Sequence, residues 1–118
     1  MRVLVCGGRA YKDTLKVFEV LDALSPTEIC QGGALGADFI AKSWALIRCV
    51  PCTEYKAEWS KYGRAAGPMR NELMIDSFKP DLVVAFKGGN GTRSMLGLAR
   101  KRGVEVVEPC KGASNENP

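Results

Sequence analysis

The sequence predicts an α/β fold in which a mostly parallel central sheet of about five strands lies between two layers of helices. Three observations lead to this fold class. Short apolar segments alternate with segments of helical periodicity along the chain. The run at residues 82–86 is apolar throughout, as expected for a central strand that is buried on both faces. Three of the strand-like runs lead into a glycine pair and then a helix, which is typical of ligand-binding turns in parallel sheets.

The predicted strands are short runs rich in valine, isoleucine, leucine and cysteine that end at glycine, proline or polar residues. They lie at residues 2–6, 27–31, 52–56, 82–86 and 104–107.

Four helices are predicted between the strands, at residues 12–24, 36–48, 68–78 and 92–102. Apolar residues recur in them at helical spacing. Pro26 ends the first helix, Pro68 suits the first turn of the third, and Gly103 stops the fourth. Residues 57–67 are predicted as a loop over the edge of the sheet. Residues 1–110 thus form a single-domain, Rossmann-like three-layer sandwich, and the polar residues 111–118 a flexible tail.

Composition limits the possible functions. The chain has 118 residues, a formal net charge of +4 and an estimated pI of 8.9, a balance that suits anionic ligands but makes nucleic acid an unlikely partner. It contains no histidine, so histidine catalysis is excluded. Five cysteines include one CxxC, at Cys49 and Cys52, without the second pair that a zinc site needs. We therefore expect reduced thiols, no metal and no cofactor. No apolar stretch approaches about 20 residues, and we expect a cytoplasmic protein without a membrane partner.

The three glycine turns supply a candidate phosphate site. Carboxyl ends of parallel strands share one edge of a sheet, and backbone N–H groups at helix amino termini bind anions. We expect the turns to contribute Gly8, Arg9 and Tyr11 from the first, Gly32, Gly33, Gly36 and Asp38 from the second, and Gly88, Gly89, Gly91 and Thr92 from the third.

Each side chain also has a plainer interpretation. Arg9 binds phosphate or pairs with Asp13 on the surface. Asp38 accepts hydrogen bonds from ribose hydroxyls or complements the helix dipole. Thr92 donates to a phosphate or caps its helix.

The segment that follows the third strand is rich in aromatic and basic side chains. It offers Trp59 and Tyr62 for stacking on a base, and Arg70 and Asn71 at the start of the next helix. Trp59 could instead be a hydrophobic plug.

Together these residues resemble the SLOG superfamily of Rossmann-like nucleotide-binding proteins, and within it the small YspA-related family. The matching runs are Gly7-Gly8-Arg9-x-Tyr11-x-Asp13, Gly32-Gly33-Ala34-x-Gly36-Ala37-Asp38, Trp59-x-x-Tyr62-Gly63, Ala66-Gly67-Pro68-x-Arg70-Asn71 and Ala85-Phe86-x-Gly88-Gly89-x-Gly91-Thr92.

The resemblance also implies a comparison with the LOG enzymes of the superfamily, which hydrolyse the N-glycosidic bond of nucleoside monophosphates. Their signatures are a Pro-Gly-Gly-x-Gly-Thr-x-x-Glu run and an Arg-Lys-x-x-Met run. Here Met95 stands at the glutamate position and Asn71 at the lysine position. A thioether cannot activate water as a carboxylate can, so binding without hydrolysis is favoured.

We therefore expect the protein to bind a nucleotide or a nucleotide-derived signal, such as an ADP-ribose relative, as a sensor or sequestering protein. One alternative is a LOG-type hydrolase that uses a displaced carboxylate, Asp38 or Glu72. A further alternative is binding of single-stranded nucleic acid. SLOG relatives are often dimers, which implies a homo-oligomer.

Overall fold

The computed structural model describes residues 1–110, and the tail predicted at residues 111–118 lies outside them. The strands are β1 (Arg2–Cys6), β2 (Glu28–Gln31), β3 (Cys52–Glu54), β4 (Leu82–Ala85) and β5 (Glu105–Val107). The helices are α1 (Thr14–Leu24), α2 (Ala37–Arg48), α3 (Trp59–Tyr62), α4 (Ala66–Phe78) and α5 (Asn90–Lys101), with a 3-10 turn (Gly63–Ala65) between α3 and α4.

The five strands form one sheet in the order β3-β2-β1-β4-β5, and every neighbouring pair is parallel. This confirms the α/β three-layer sandwich, and the sheet is parallel throughout rather than mostly parallel. The chain reverses its direction of winding between β1 and β4, which lie next to each other. In open α/β sheets this switch point is where ligands bind.

Side chains alternate between the two faces of the sheet and build two cores. On one face, Val3 and Val5 of β1 pack with Val17 of α1 and Trp44 of α2. On the other face, residues of β1 and β4 pack with Met74 of α4 and other residues of α4 and α5. This alternation on β1 and β4 explains why these central strands are almost entirely apolar.

The predicted loop at residues 57–67 is wrong. The chain there forms α3 and the 3-10 turn, and α4 begins at Ala66, two residues before Pro68. The ring of Trp59 lies close to Gly67, where a Cβ would come 3.0 Å from the ring carbon Cη2. This contact joins α3 to the start of α4. The other predicted elements are present, with ends that differ by one or two residues.

Within residues 1–110, no helix combines the length and the apolar composition needed to cross a membrane.

Candidate functional site

The loops after β1, β2 and β4 meet at the carboxyl edge of the sheet and line an open cleft of about 1540 Å³. All but two of the predicted site residues line this cleft. They are Gly8, Arg9, Tyr11, Gly32, Gly33, Asp38, Trp59, Arg70, Asn71, Gly88, Gly89, Gly91 and Thr92. The cleft continues to the start of α4, and its floor includes Met74 and Met95.

Gly36 and Tyr62 do not line the cleft. Gly36 caps the amino terminus of α2 and packs behind the cleft, against the carbonyl groups of Gly8 and Arg9. Tyr62 is 39% exposed, and its ring lies 5.0 Å from the ammonium group of Lys61. We therefore assign Gly36 a structural role, and the structure does not bring Tyr62 to the site.

The loops after β1 and β4 contact each other through their backbones. The N–H of Gly8 donates to the carbonyl oxygen of Lys87 at 2.9 Å. Gly88 leaves no space for a side chain, because a Cβ there would lie 2.7 Å from the Gly8 nitrogen and would overlap the hydroxyl of Thr92. This close approach fixes the amino terminus of α5 beside the switch point of the sheet.

The loop after β2 uses its backbone N–H groups internally. Oδ2 of Asp38 accepts from the N–H of Gly32 at 3.1 Å and of Ala34 at 3.2 Å. The N–H of Gly33 donates to Oε1 of Gln31 at 2.6 Å. The amide of Gly33, which the sequence suggested as a phosphate ligand, therefore already has an acceptor.

The amino terminus of α5 is different. Its first three N–H groups, those of Asn90, Gly91 and Thr92, have no acceptor within the described part of the chain. Gly89 is the N-cap and makes no side-chain cap, so the interpretation of Thr92 as the N-cap is wrong. A Cβ added at Gly89 or Gly91 would meet nothing within 4 Å. These N–H groups are thus free for an anion, and the space beside them is open.

Arg70 and Asn71 connect the loops on the two sides of the cleft. Arg70 donates from Nη1 to the carbonyl oxygen of Gly32 at 2.6 Å and from Nε to Oδ1 of Asn71 at 2.9 Å. Asn71 in turn donates from Nδ2 to the carbonyl oxygen of Gly91 at 3.4 Å. Nη2 of Arg70 has no partner in residues 1–110. Arg70 can therefore position both loops and still offer one nitrogen to a ligand.

The arginines fall into two groups, those that pair with a carboxylate and those that do not. Arg2, Arg48, Arg100 and Arg102 each form an ion pair with a carboxylate. The other four arginines of the chain form no ion pair with a described residue, and all line cavities at the carboxyl edge of the sheet. Arg9, Arg64 and Arg70 line the cleft, and Arg93 lines a smaller cavity beside it.

This result contradicts the surface pairing of Arg9 with Asp13. Asp13 instead caps α1, accepting from the N–H of Lys16 at 3.0 Å. The guanidinium group of Arg9 is close enough to contribute to lowering the pKa of Arg70, although burial is the main cause of that shift.

The net charge of the protein is concentrated in the cleft. The formal charge of its lining is +4, equal to that of the whole chain. The ionisable lining residues are Arg9, Lys12, Lys56, Arg64, Arg70 and Lys87, against Asp13 and Asp38. An anionic ligand is therefore favoured by the electrostatic field of this edge.

Asp38 is the one side chain of the described residues with a fully buried oxygen that lacks a hydrogen-bond partner, Oδ1. The residue is only 5% exposed. Burial raises its pKa to about 6, although hydrogen bonds from the Ala34 and Gly32 amides and the positive charge of Arg70 oppose this shift. Asp38 is therefore more than a carboxylate placed for the helix dipole, because it keeps an unused acceptor at the cleft.

Cys6 also lines the cleft, but its thiol is not activated. Burial, with a further contribution from the negative charge of Asp38, raises the pKa of this thiol. At neutral pH it remains protonated, so it is a poor nucleophile.

The aromatic side chains differ in their freedom to stack on a base. The ring of Tyr11 packs against Phe86, with 5.2 Å between ring centroids, and its hydroxyl lies 3.2 Å from Sγ of Cys110. Trp59 rests on Gly67 and is 51% exposed. Trp59 thus has a surface available for stacking, whereas Tyr11 is held in the protein.

Sequence reasoning omitted several residues that line or support the site, among them Lys56, Lys87 and Gln31. Lys56 is the last residue of the predicted third strand, Lys87 directly follows the predicted fourth strand, and both line the cleft, so the argument that placed the glycine loops there could have found them. Gln31, the last residue of β2, is 1% exposed. It bridges the Gly33 amide to the carboxylate of Glu54, to which it donates at 3.0 Å. No local signal reveals this bridge, because Glu54 belongs to another strand.

Replacing Gln31 with leucine should lower the free energy of unfolding by about 1 to 3 kcal/mol, because two hydrogen bonds, from the Gly33 N–H to Gln31 and from Gln31 to Glu54, are lost. Denaturation in urea would measure this change. Ser43→Ala, which removes an exposed hydroxyl that donates to the Phe39 carbonyl, is the control and should change stability little. Equal stability of Gln31→Leu and the wild type would show that the bridge does not hold the loop.

Comparisons with known proteins agree with this architecture. Residues 1–62 match the model of the YspA, cpYpsA-related SLOG family. The gene 61 protein of Mycobacterium phage D29 is 34% identical over 119 residues, an alignment that covers 90% of this chain and 94% of that protein.

Among solved structures, DNA processing protein A (DprA) from Streptococcus pneumoniae has a similar fold, with a TM-score of 0.75 at 19% identity. The similarity covers 98% of this chain but only 56% of DprA, so the chain spans little more than half of that protein. The family match and the phage relative together identify this chain as a member of the YspA, cpYpsA-related SLOG family.

Proposed function

We propose that this protein binds a nucleotide or a nucleotide-derived molecule, such as an ADP-ribose relative, as a sensor or sequestering protein. The phosphate lies at the amino terminus of α5. The observation that carries the proposal is the pairing of arginines: those without a carboxylate partner among the described residues line the two cavities onto which the helix terminus with free N–H groups opens. Backbone N–H groups at a helix amino terminus and guanidinium groups both bind phosphate.

The remaining parts of a nucleotide have matching groups in the cleft. Arg9 and Nη2 of Arg70 add positive charge beside the phosphate. Oδ1 of Asp38 accepts a hydrogen bond from a ribose hydroxyl, since a buried acceptor without a partner gains most from a ligand donor. The exposed surface of Trp59 stacks on the base. Self-association stays a prediction.

A second candidate is hydrolysis of an N-glycosidic bond with Asp38 as the acid or base. Its pKa of about 6 favours this candidate, because acid–base catalysts work best when their pKa lies near the operating pH. Met95 is 1% exposed and packs in the core, so it supplies no such group. Glu72 forms an ion pair with Arg102 and does not line the cleft, which removes it as the displaced carboxylate.

Binding of single-stranded nucleic acid is a third candidate. The name of DprA describes that protein as acting in DNA processing, and the charge of the cleft and the exposed ring of Trp59 are features that such binding uses. A nucleotide remains the first candidate, because the free N–H groups form one compact cradle rather than a stripe of phosphate contacts.

One experiment separates the three candidates. The protein is incubated with a panel of nucleotides, and the free pool is analysed by chromatography before and after denaturation. A nucleotide that disappears and returns intact supports binding, whereas a free base that accumulates with time supports hydrolysis. If no nucleotide is depleted but an oligothymidylate is retained with strong salt dependence, the nucleic-acid candidate replaces the proposal.

Replacing Gly89 with aspartate should weaken binding of the retained nucleotide at least 30-fold, about 2 kcal/mol, because a carboxylate would repel the phosphate. The added side chain has space, so the fold should persist. Gly97→Asp introduces the same charge at an exposed position of α5 outside the cleft and should leave the affinity within about 3-fold. Isothermal titration calorimetry measures the affinity of both variants. An unchanged affinity of Gly89→Asp would show that the phosphate does not bind at the amino terminus of α5.

A further inference from the structure

The amino terminus of α5 lies between two cavities. Besides the cleft, a smaller cavity of about 240 Å³ opens at the ends of β4 and β5. The two cavities share Lys87, Gly88, Gly89 and Thr92. A phosphate held at this terminus would therefore have space on both of its sides. The phosphate of a mononucleotide is a terminal group and needs space on one side only, for its nucleoside.

Thr92 gives independent support for a ligand between the cavities. The residue is 7% exposed, it lines both cavities, and its hydroxyl has no hydrogen-bond partner in the described part of the chain. A Cβ on Gly88 would overlap this hydroxyl, which places it against the loop that separates the cavities. A phosphate oxygen at the helix terminus would supply the acceptor that the hydroxyl lacks.

The lining of the small cavity suits a sugar. Its charged lining residues are Lys87, Arg93 and Glu108, and the carboxylate of Glu108 also pairs with Arg100. Phe86 and Leu96 give it apolar walls. A sugar ring presents hydroxyl groups at its rim and C–H groups on its faces. At about 240 Å³ the cavity is smaller than whole-ligand sites, which begin near about 300 Å³, so it would hold one part of a ligand.

We propose that the protein binds a nucleoside diphosphate sugar, with its diphosphate at the amino terminus of α5, its nucleoside in the cleft and its sugar in the small cavity. This inference rests on the proposed function. Positive residues line the two cavities that meet at this terminus, Arg9, Arg70 and Lys87 in the cleft and Lys87 and Arg93 in the small cavity, and they favour a diphosphate over a single phosphodiester, which carries only one negative charge.

Calorimetric titrations of the whole chain test the inference. The ligands are ADP, GDP and UDP, and the corresponding ADP-ribose, GDP-mannose and UDP-glucose. For at least one base, the diphosphate sugar should bind 10-fold or more tightly than the diphosphate alone. Arg93→Ala removes a polar group of the small cavity, and Cys110→Phe occupies its volume. Each variant should bring the ratio of the two dissociation constants towards one.

Lys101→Ala is the control, because Lys101 lies on the same helix outside both cavities, and it should keep the wild-type ratio. If a nucleoside diphosphate binds and no sugar improves its affinity, the inference is wrong and the proposed function stands. The same conclusion holds if the ratio survives in both Arg93→Ala and Cys110→Phe. If none of the six compounds binds, the inference and the nucleotide site on which it rests both fail.

Discussion

Replacing Gly36 with alanine should lower the free energy of unfolding by about 3 to 5 kcal/mol, among the largest effects of a single methyl group. Two causes act together. The backbone of Gly36 has φ +77° and ψ −128°, a combination that side chains make unfavourable by about 1 to 3 kcal/mol. A Cβ there would also overlap the carbonyl oxygen of Gly8 and lie 2.6 Å from that of Arg9. These are backbone atoms, so the conflict can be relieved only by moving a loop.

The measurement is urea denaturation followed by circular dichroism, with Gly97→Ala as the matched control. Gly97 lies within α5 at an exposed position, and a Cβ there meets nothing within 4 Å. Alanine at this position should therefore stabilise the helix by about 0.5 to 1 kcal/mol. If Gly36→Ala unfolds within about 1 kcal/mol of the wild type, the loops after β1 and β2 are not packed as described.

The contrast between the two glycines shows what a sequence can and cannot reveal. In the sequence, nothing shows that Gly36 tolerates a side chain less well than Gly97 does. The pattern of strand, glycine pair and helix was sufficient to predict the parallel sheet and the edge at which the loops meet. The spacing of apolar residues in each segment determines whether it is a strand or a helix and which side chains are buried, and these features determine the sheet. It could not separate Gly36, which contacts the loop after β1, from Gly89 and Gly91, which face open space. Contacts between distant segments decide that difference.

The region at residues 57–67 was misassigned for a similar reason. Its glycines and mixed composition are typical of a loop. The short helix α3 exists because the ring of Trp59 packs on Gly67 in α4, and a single turn of helix has little stability without such packing. The same limit applies to Asp38. Its place in the first turn of α2 indicated a carboxylate at a helix terminus, but only the structure shows its hydrogen bonds to the preceding loop.

Asp38 should make the protein less stable at neutral pH than an uncharged residue would. The folded-state pKa of about 6 exceeds the ordinary value of 3.8, so the folded protein holds this proton more tightly than the unfolded chain. Between these two values, stability falls as the pH rises, because the folded state must release a proton that the unfolded state has already lost. Above pH 6 the full cost is about 3 kcal/mol, from about 2 pH units at 1.36 kcal/mol each.

Asp38→Asn removes this cost. Its amide oxygen can still accept from the N–H groups of Gly32 and Ala34, and it carries no charge. The difference in unfolding free energy between variant and wild type should therefore grow by about 2.4 kcal/mol from pH 4 to pH 7 in favour of the variant. Asp76→Asn is the control with the opposite sign, since the hydrogen bond from Arg102 lowers the pKa of Asp76. A difference independent of pH for Asp38→Asn would show that this carboxyl group is well solvated.

The same substitution tests why such a residue is present. Asparagine puts an N–H₂ donor where Oδ1 of Asp38 offers an acceptor, so a ribose hydroxyl that donates to Oδ1 loses its partner and meets a donor. The loss of this buried hydrogen bond should weaken binding by about 1 to 3 kcal/mol. We thus expect Asp38→Asn to fold more stably at pH 7 and to bind its nucleotide 5- to 150-fold more weakly, as calorimetry would measure. A variant that gains stability and keeps its affinity would show that Asp38 only accepts hydrogen bonds from the loop after β2 and does not contact the ligand.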